Sequence, residues 1–195
     1  MIIGITGTPG TGKTSACALI RGVLDLNELI KDEELHQGAD SKRGSLIADI
    51  DRVYDRICEI AEGMDRDLVI EGHLSHHVCD VAIVLRLSPD KLKLRLKERG
   101  YHRAKISENV EAEVIDVILV EAVEWCGRDC VYEINTTGKT VEEVAKTIHK
   151  VIDAIGRGIA VEGHEPGSVD WMGGVLPQRG SSDSWGAWFR ATNSK

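Results

Sequence analysis

A glycine-rich segment near the start of the chain has the residue types that bind phosphate groups. Residues 7–14 read Gly-Thr-Pro-Gly-Thr-Gly-Lys-Thr and match the pattern GxxxxGK(S/T) at every fixed position. Glycines let successive backbone N–H groups face one anion, the lysine adds a cation at the β- and γ-phosphates, and the next hydroxyl binds Mg²⁺. The segment therefore predicts a P-loop for ATP or GTP. The residues predicted to bind ATP are Gly10, Gly12, Lys13, Thr14 and Ser15, with Thr14 as the metal ligand.

The chemistry of a P-loop also needs a carboxylate close to the metal ion. Residues 67–71 read Asp-Leu-Val-Ile-Glu, an apolar run that ends in an acid, as in a Walker B strand. Glu71 is predicted to hold Mg²⁺ through water or to polarise a nucleophile. His73 is predicted to contact the same phosphates, whereas His76 and His77 are interpreted as solvated loop residues.

A second group of cations follows the pattern LxxRLxxRG in residues 92–100. Arg95 and Arg99 are four residues apart, so they share one face of a helix. With Arg103 and Lys105, they are predicted to form a clamp for a phosphoryl group in transfer. A solvated basic helix is the alternative interpretation.

The uneven charge of the chain supports the clamp. The net charge of −8 argues against general nucleic-acid binding, because phosphate contacts dominate that affinity. Residues 86–105 nevertheless carry eight lysines and arginines against only Asp90 and Glu98. A basic island in an acidic chain indicates a local anionic ligand.

The order of the predicted strands and helices indicates an α/β fold. Strands are expected at residues 2–5, 23–26, 67–71, 81–87 and 131–135. Helices are expected at residues 13–22, 47–62, 89–99, 107–125 and 140–155. The last helix begins with the capping-box sequence of residues 140–143. This alternation predicts a P-loop NTPase fold of three layers, with a five-stranded parallel sheet covered on both faces.

Two segments differ in character from this domain, which is expected to span residues 1–155. Residues 27–47 are polar and are predicted to form an irregular insertion with a little helix. Residues 156–195 hold eight glycines and three of the four tryptophans, and predict an extension that is partly disordered or irregular. Residues 164–171 are interpreted as a short specific motif. The aromatic residues that could dock on the domain or on a partner are Trp171, Trp185, Trp188 and Phe189.

Composition limits the other classes of protein. Hydrophobic residues make up 42% of the chain, as in an ordinary globular protein, and no run of 18 apolar residues exists. The N-terminus lacks the features of a signal peptide, so a cytoplasmic protein without membrane contact is expected. The five scattered cysteines are interpreted as reduced thiols, and the seven histidines lack the spacing of a zinc site.

These motifs together resemble the adenylate kinase isoenzyme 6 family of P-loop nucleoside-monophosphate (NMP) kinases. That family includes a ribosome-assembly factor and its archaeal relatives. The resemblance extends over about residues 1–155 and is most specific around residues 3–15 and 84–122. The matching segments are residues 6–14, Val84-Leu85-Arg86, Arg95-Leu96, Arg99-Gly100-Tyr101, residues 105–109 and Glu121-Ala122.

The resemblance implies an adenylate kinase that also has weak ATPase activity. It implies an NMP-binding segment at about residues 25–48, in which the cations are Lys31, Lys42 and Arg43. It also implies a short lid at about residues 98–108, where Arg99 contacts ATP. A role in the last step of small-subunit rRNA maturation is implied too, with a small-subunit ribosomal protein as partner and pre-ribosomal RNA nearby.

Two functions of different classes are compatible with the sequence. In the first, the γ-phosphoryl group passes in line from MgATP to a nucleoside monophosphate, most simply AMP, by positioning and electrostatics alone. The catalytic residues would be Lys13, Arg95 and Arg99, with Glu71 and His73 beside them. In the second, ATP hydrolysis is a switch that releases a ribosomal partner, and activity on AMP is incidental.

Overall fold

The computed structural model describes residues 1–39 and 46–172 of the chain. Seven strands are formed: β1 Ile2–Thr6, β2 Val23–Asp25, β3 His36–Ala39, β4 Leu46–Ala48, β5 Leu68–Glu71, β6 Val81–Arg86 and β7 Val131–Asn135. Seven helices accompany them: α1 Lys13–Cys17, α2 Leu26–Asp32, α3 Ile50–Glu62, α4 Pro89–Glu98, α5 Arg103–Val114, α6 Val117–Cys126 and α7 Val141–Gly156. None of the helices in these two ranges is long and apolar enough to cross a membrane.

Five strands form one parallel sheet in the order β2-β5-β1-β6-β7, so the strand before the P-loop lies at its centre. In the register of this sheet, Ile5 lies beside Glu71, and Glu71 lies beside Asp25. The carboxyl ends of parallel strands share one edge, where ligands bind in α/β folds. The predicted five-stranded, three-layer fold is confirmed.

The sheet is covered on both faces because most residues of its central strands are apolar and buried. Ile3 and Ile5 of β1 point to one face and pack in a core with α1 and α7. Ile2 of β1 and Ile70 of β5 point to the other face, against α2 and α3. This alternation follows from the two-residue repeat of a strand. The P-loop therefore connects a buried strand, β1, with a helix, α1, that packs in the same core.

Two of the predicted helices differ from the structure, one in its length and one by an interruption. The helix expected over residues 13–22 is only α1, Lys13–Cys17, and irregular turns lead from it to β2. The long helix expected over residues 107–125 is two helices, α5 and α6, separated at Ile115 and Asp116. Asp116 has a φ of 60°, a conformation that interrupts a helix, and its carboxylate pairs with the buried guanidinium of Arg86.

The connection between the helices expected at residues 89–99 and 107–125 is correspondingly shorter. The α5 helix already begins at Arg103, so only residues 99–102 connect it with α4. The His102 side chain accepts a hydrogen bond from the Ala104 N–H and caps α5. Arg103 and Lys105 therefore lie on a helix rather than in a flexible loop.

The insertion between β2 and α3 is more regular than expected. Its predicted helix is α2, which Asp25 caps by accepting hydrogen bonds from the backbone of Asn27 and Glu28. An antiparallel hairpin of β3 and β4, which the sequence did not indicate, follows it. Lys31 is exposed on α2, whereas Lys42 and Arg43 lie outside the described residues.

The first part of the C-terminal extension is irregular, as expected, and packs on the domain through the motif of residues 164–171. One carboxylate oxygen of Glu133 in β7 accepts hydrogen bonds from Gly167 N, Ser168 Oγ and Val169 N at 3.0–3.2 Å. The Trp171 indole donates to Glu113 Oε1 at 3.1 Å. Trp185, Trp188 and Phe189 lie outside the described residues. Of these aromatic residues the structure describes Trp171, and its side chain docks on the domain.

Candidate functional site

The P-loop turns sharply after β1 because its glycines adopt conformations that other residues rarely reach. Gly7 and Gly12 have φ values of 134° and 106°. A Cβ atom on Gly7 would lie 2.4 Å from the Leu85 carbonyl oxygen, so only glycine fits there. The loop is closed by a hydrogen bond from Thr11 N to Thr8 O at 3.2 Å. Helix α1 follows directly from Gly12, as the P-loop pattern requires.

Lys13 is held inside this loop by its own backbone. Its ammonium group donates to Gly7 O at 2.6 Å and to Thr8 O at 3.2 Å. Burial lowers the pKa of Lys13 from its ordinary value to about 8, and the nearby Glu71 carboxylate offsets only part of this effect. Lys13 is therefore a cation near pH 7 with few partners. A bound anion would stabilise its charged form.

Glu71 ends β5 beside the loop, as predicted, and is almost completely buried. Its Oε2 atom has no hydrogen-bond partner among the described residues. Burial raises the pKa of Glu71, the Thr14 hydroxyl bonded to it opposes that shift, and Asp25 adds to it. An unpaired carboxylate oxygen near a second carboxylate and a hydroxyl matches the oxygen ligands that Mg²⁺ prefers. The residues present thus fit the metal that the P-loop implies.

Asp25 is the member of this group that sequence reasoning missed. It ends β2 and lies beside Glu71 in the sheet. The available signal was its place at the carboxyl end of a predicted strand, the same signal that identified Glu71. The strand was predicted over residues 23–26, so Leu26 and not Asp25 was taken as its last residue.

The two predicted clamp arginines reach the P-loop from the last turn of α4 and the residue that follows it. Arg95 is half-buried and donates to the carbonyl oxygens of Gly10 and Thr11 at 3.3 and 3.5 Å. Arg99 is exposed and follows the last residue of α4. Leu92 and Leu96, fully buried on the same helix, pack against Gly10 and hold α4 to the loop. Arg95 therefore supports the loop, whereas Arg99 remains available to a ligand.

Two clefts meet at this loop. The larger, of about 380 Å³, lies between α4 and the start of α7, and the smaller, of about 200 Å³, faces the end of β5. Three predicted site residues, Gly12, Ser15 and Arg99, line both clefts. Gly10, Lys13, Thr14, Glu71 and His73 line the smaller cleft. A ligand that extends from one cleft to the other must pass the P-loop and Arg99.

His73 lines the smaller cleft, and Lys105 lies nearby without lining it. The protein around His73 and the charges of Lys13 and Lys105 lower its pKa, so it is neutral near pH 7. Lys105 lies 5.0 Å from the centre of the Tyr101 ring, which also lines this cleft. Arg103 is exposed and lines neither cleft. The cations that face the ligand are thus fewer than the basic island predicts.

Arg86 belongs to the core rather than to the basic site. It is 2% exposed and pairs with Glu113, Asp116 and Glu133. A buried charge is stable only when it is paired, and the three carboxylates pair with the guanidinium of Arg86. Glu113 also accepts a hydrogen bond of 2.5 Å from the Thr8 hydroxyl, so this network supports the P-loop from behind.

The interpretation of His76 and His77 as solvated loop residues was wrong. They lie in a 3-10 turn at Ser75–His77, where His76 is 1% exposed and His77 is half-buried. Burial lowers the pKa of His76 to about 3. Neither residue lines the two clefts, so they take no part in the phosphate site.

Comparison with known sequences agrees with this architecture. The family described as "AAA domain" matches residues 3–116. A protein of Methanosarcina barkeri named "Putative adenylate kinase" is 49% identical over 180 residues, which are 88% of this chain and 98% of that protein. A protein of the same name from Methanosarcina acetivorans is 46% identical and covers 90% of this chain and 100% of its own length.

Solved structures share the fold at low sequence identity. The shikimate kinase of Acinetobacter baumannii in complex with shikimate has a TM-score of 0.52 at 14% identity, covering 79% of this chain and 93% of that one. A Deinococcus radiodurans tunicamycin resistance protein has a TM-score of 0.50 at 19% identity, covering 82% and 96%. The resemblance drawn from the sequence motifs is confirmed by the archaeal relatives. The chain belongs to the family of these archaeal P-loop proteins that share the name adenylate kinase, and to the AAA domain family.

Proposed function

We propose that the protein is a nucleoside-monophosphate kinase that transfers the γ-phosphoryl group of MgATP to AMP. The observation that carries the proposal is that Gly12, Ser15 and Arg99 line both clefts. ATP in the larger cleft would extend its phosphates along the P-loop, with the terminal phosphate at the border of the smaller cleft. An acceptor in the smaller cleft would then meet that phosphate in line.

Each site residue has a role that follows from its contacts. Lys13 would leave the carbonyl oxygens of Gly7 and Thr8 for the β- and γ-phosphates, and the backbone N–H groups of residues 10–14 would bind the same oxygens. Arg99 would neutralise the phosphoryl group as it moves, because it borders both clefts. Arg95 would act mainly by fixing the carbonyl groups of Gly10 and Thr11.

Mg²⁺ would be held by the Thr14 hydroxyl and, through water, by Glu71 with Asp25 beside it. When bound, the ion neutralises phosphate charge and orients the β- and γ-oxygens. The unpaired Oε2 atom of Glu71 supports this assignment. The bond from the γ-phosphorus to the β-γ bridging oxygen breaks, and a bond to an oxygen of the AMP phosphate forms.

The test of this proposal is the dependence of ADP formation on AMP. The full chain with MgATP should form ADP at least tenfold faster when AMP is present, because a bound AMP phosphate is positioned to accept the phosphoryl group and water is not. Lys13→Ala should lose both the AMP-dependent and the AMP-independent rate. If neither AMP nor another nucleoside monophosphate accelerates ADP formation, the kinase proposal is wrong.

An ATPase activity, physiological or incidental, is the second candidate. It is supported by Glu71, whose unpaired carboxylate oxygen lies next to the smaller cleft and can orient a water molecule as well as an acceptor. With the family resemblance, this candidate extends to a switch in small-subunit rRNA maturation with a ribosomal protein partner, in the cytoplasm. ATP turnover that is independent of AMP but accelerated by a small-subunit ribosomal protein would favour it over the kinase.

A further inference from the structure

Three side chains with metal-binding atoms converge on the far side of β1 from the larger cleft. His76 and His77 come from the turn after β5, and Glu121 comes from α6. The ligand atoms of the three residues all lie within 4.8 Å of one another. The two imidazole rings are 4.0 Å apart between their centres, and the His77 ring packs edge-on against Trp125. Ring contacts thus hold the two histidine side chains in place.

Two nitrogen atoms in this cluster are buried without a hydrogen-bond partner among the described residues. They are His76 Nε2 and His77 Nδ1. Buried polar atoms are nearly always paired, so two such atoms on adjacent residues require an explanation. The His76 side chain is fully buried, so bulk water does not reach it.

The spacing of the atoms matches that of a shared ion. His76 Nε2 lies 3.3 Å from Glu121 Oε2, but no hydrogen bond joins them. Zinc binds imidazole nitrogen at about 2.0–2.1 Å and carboxylate oxygen at about 2.0–2.2 Å, which separates tetrahedral ligands by roughly 3.3–3.5 Å. The two atoms are therefore already at the distance that zinc would impose, and only His77 needs to move.

An outer partner fixes the ring of His76 in the orientation that zinc binding requires. Its Nδ1 atom lies 3.0 Å from the Thr6 hydroxyl, and that hydroxyl is also 3.3 Å from the His73 carbonyl oxygen. When Thr6 donates to His73, it accepts the Nδ1–H of His76, and Nε2 keeps a free lone pair. Metal-bound histidines commonly donate their other N–H in this way.

We propose that His76, His77 and Glu121 form a binding site for a divalent transition metal, zinc in the first instance. Imidazole nitrogens favour zinc, whereas the all-oxygen group at Thr14 and Glu71 favours magnesium, so the two ions would bind at separate sites. Glu121 is 40% exposed, which leaves a fourth position open to water. The ion would join α6 to the turn that follows Glu71 and His73.

The test uses the full chain after removal of metal by a chelator and dialysis. Zn²⁺ is titrated in competition with a chromophoric chelator, and Co²⁺ is used as a spectroscopic replacement. We expect one Zn²⁺ per chain and a Co²⁺ spectrum of nitrogen and oxygen ligands. His77→Ala and Glu121→Gln should each weaken binding at least tenfold. His149→Ala, which removes an exposed histidine from α7, is the matched control and should bind as the parent protein does.

Four outcomes would overturn the proposal. The parent protein binds no zinc at micromolar concentration, the two variants bind as tightly as it does, or His149→Ala loses the metal. The fourth is a thiolate-to-cobalt charge-transfer band, which would assign the ion to Cys79 and Cys126, whose sulfur atoms lie 3.8 Å apart. Circular dichroism of each variant checks the fold, and both replaced side chains are only partly buried.

Discussion

At the scale of single residues, the site depends on groups that the fold leaves without enough partners. The buried ammonium group of Lys13 donates hydrogen bonds to two backbone carbonyl oxygens, and Glu71 keeps a carboxylate oxygen without a partner among the described residues. Both conditions cost stability in the free protein, and both are relieved by a bound polyphosphate and its metal ion. The sequence predicted both residues from a fixed motif and a strand end.

The lowered pKa of Lys13 predicts proton uptake when ATP binds. The free protein has a Lys13 pKa of about 8, and contact with phosphates favours the charged form, so the pKa rises on binding. Below about pH 7 Lys13 is already charged and contributes no uptake. As pH rises through 8, the lysine of the free protein loses its proton, and ATP affinity should fall by up to about tenfold per pH unit.

Titration calorimetry in buffers of different ionisation enthalpy measures this proton uptake. We expect close to one proton per ATP at pH 9 and much less at pH 7, apart from the contribution of ATP itself. Binding of ATP at pH 9 without proton uptake would show that Lys13 keeps its charge in the free protein, contrary to this account.

Removal of Arg99 should affect turnover more than folding. Arg99 is exposed and lines both clefts, so Arg99→Ala should lower kcat/KM by about 100-fold or more while the unfolding midpoint stays unchanged. Steady-state kinetics with ATP and AMP, and thermal unfolding, measure the two effects. Arg21→Ala removes an exposed arginine outside both clefts and serves as the control. Normal turnover in Arg99→Ala would remove the assigned role.

At the scale of elements, strand ends and helix interruptions position these residues. The parallel register of β2, β5 and β1 aligns Asp25, Glu71 and the P-loop at one edge. Local sequence predicted the strands but not their pairing, which is why Asp25 was missed. The break at Asp116 also depends on a partner distant in sequence, the buried Arg86, so helical periodicity alone predicted one long helix instead of α5 and α6.

The docked extension should contribute to the stability of the domain. A chain that ends at Gly156 loses the Gly167, Ser168 and Val169 donors of the buried Glu133 carboxylate. Leaving a buried charged group with fewer partners costs about 1–3 kcal/mol, and loss of Trp171 packing adds to this cost. Urea unfolding should therefore show a lower free energy of unfolding for this truncation.

A chain that ends at Met172 is the matched control because it keeps every one of these contacts. Its free energy of unfolding should equal that of the full chain within about 0.5 kcal/mol. Equal stability of the two truncations would show that the docking of residues 164–171 is energetically irrelevant. ATP binding should survive in both, because residues 157–172 line neither nucleotide cleft.

At the scale of the whole molecule, three features lie at different places around the central sheet. Its carboxyl edge carries the P-loop and the two clefts, its far strand β7 anchors the extension, and the turn after β5 carries the histidine cluster. The fold class and the P-loop at the carboxyl edge of the sheet were predictable because each depends on local sequence patterns. The histidine cluster was not, because Glu121 is distant in sequence and joins the pair only through the packing of α6.

The central claim is that the terminal phosphate of ATP passes to AMP. The most direct measurement follows ATP labelled at the γ-phosphorus in the presence of Mg²⁺ and AMP. If the protein is a kinase, the label appears in the β-phosphate of ADP and inorganic phosphate carries little of it. Label that appears in inorganic phosphate, in the same amount with and without AMP, would show instead that the protein is an ATPase.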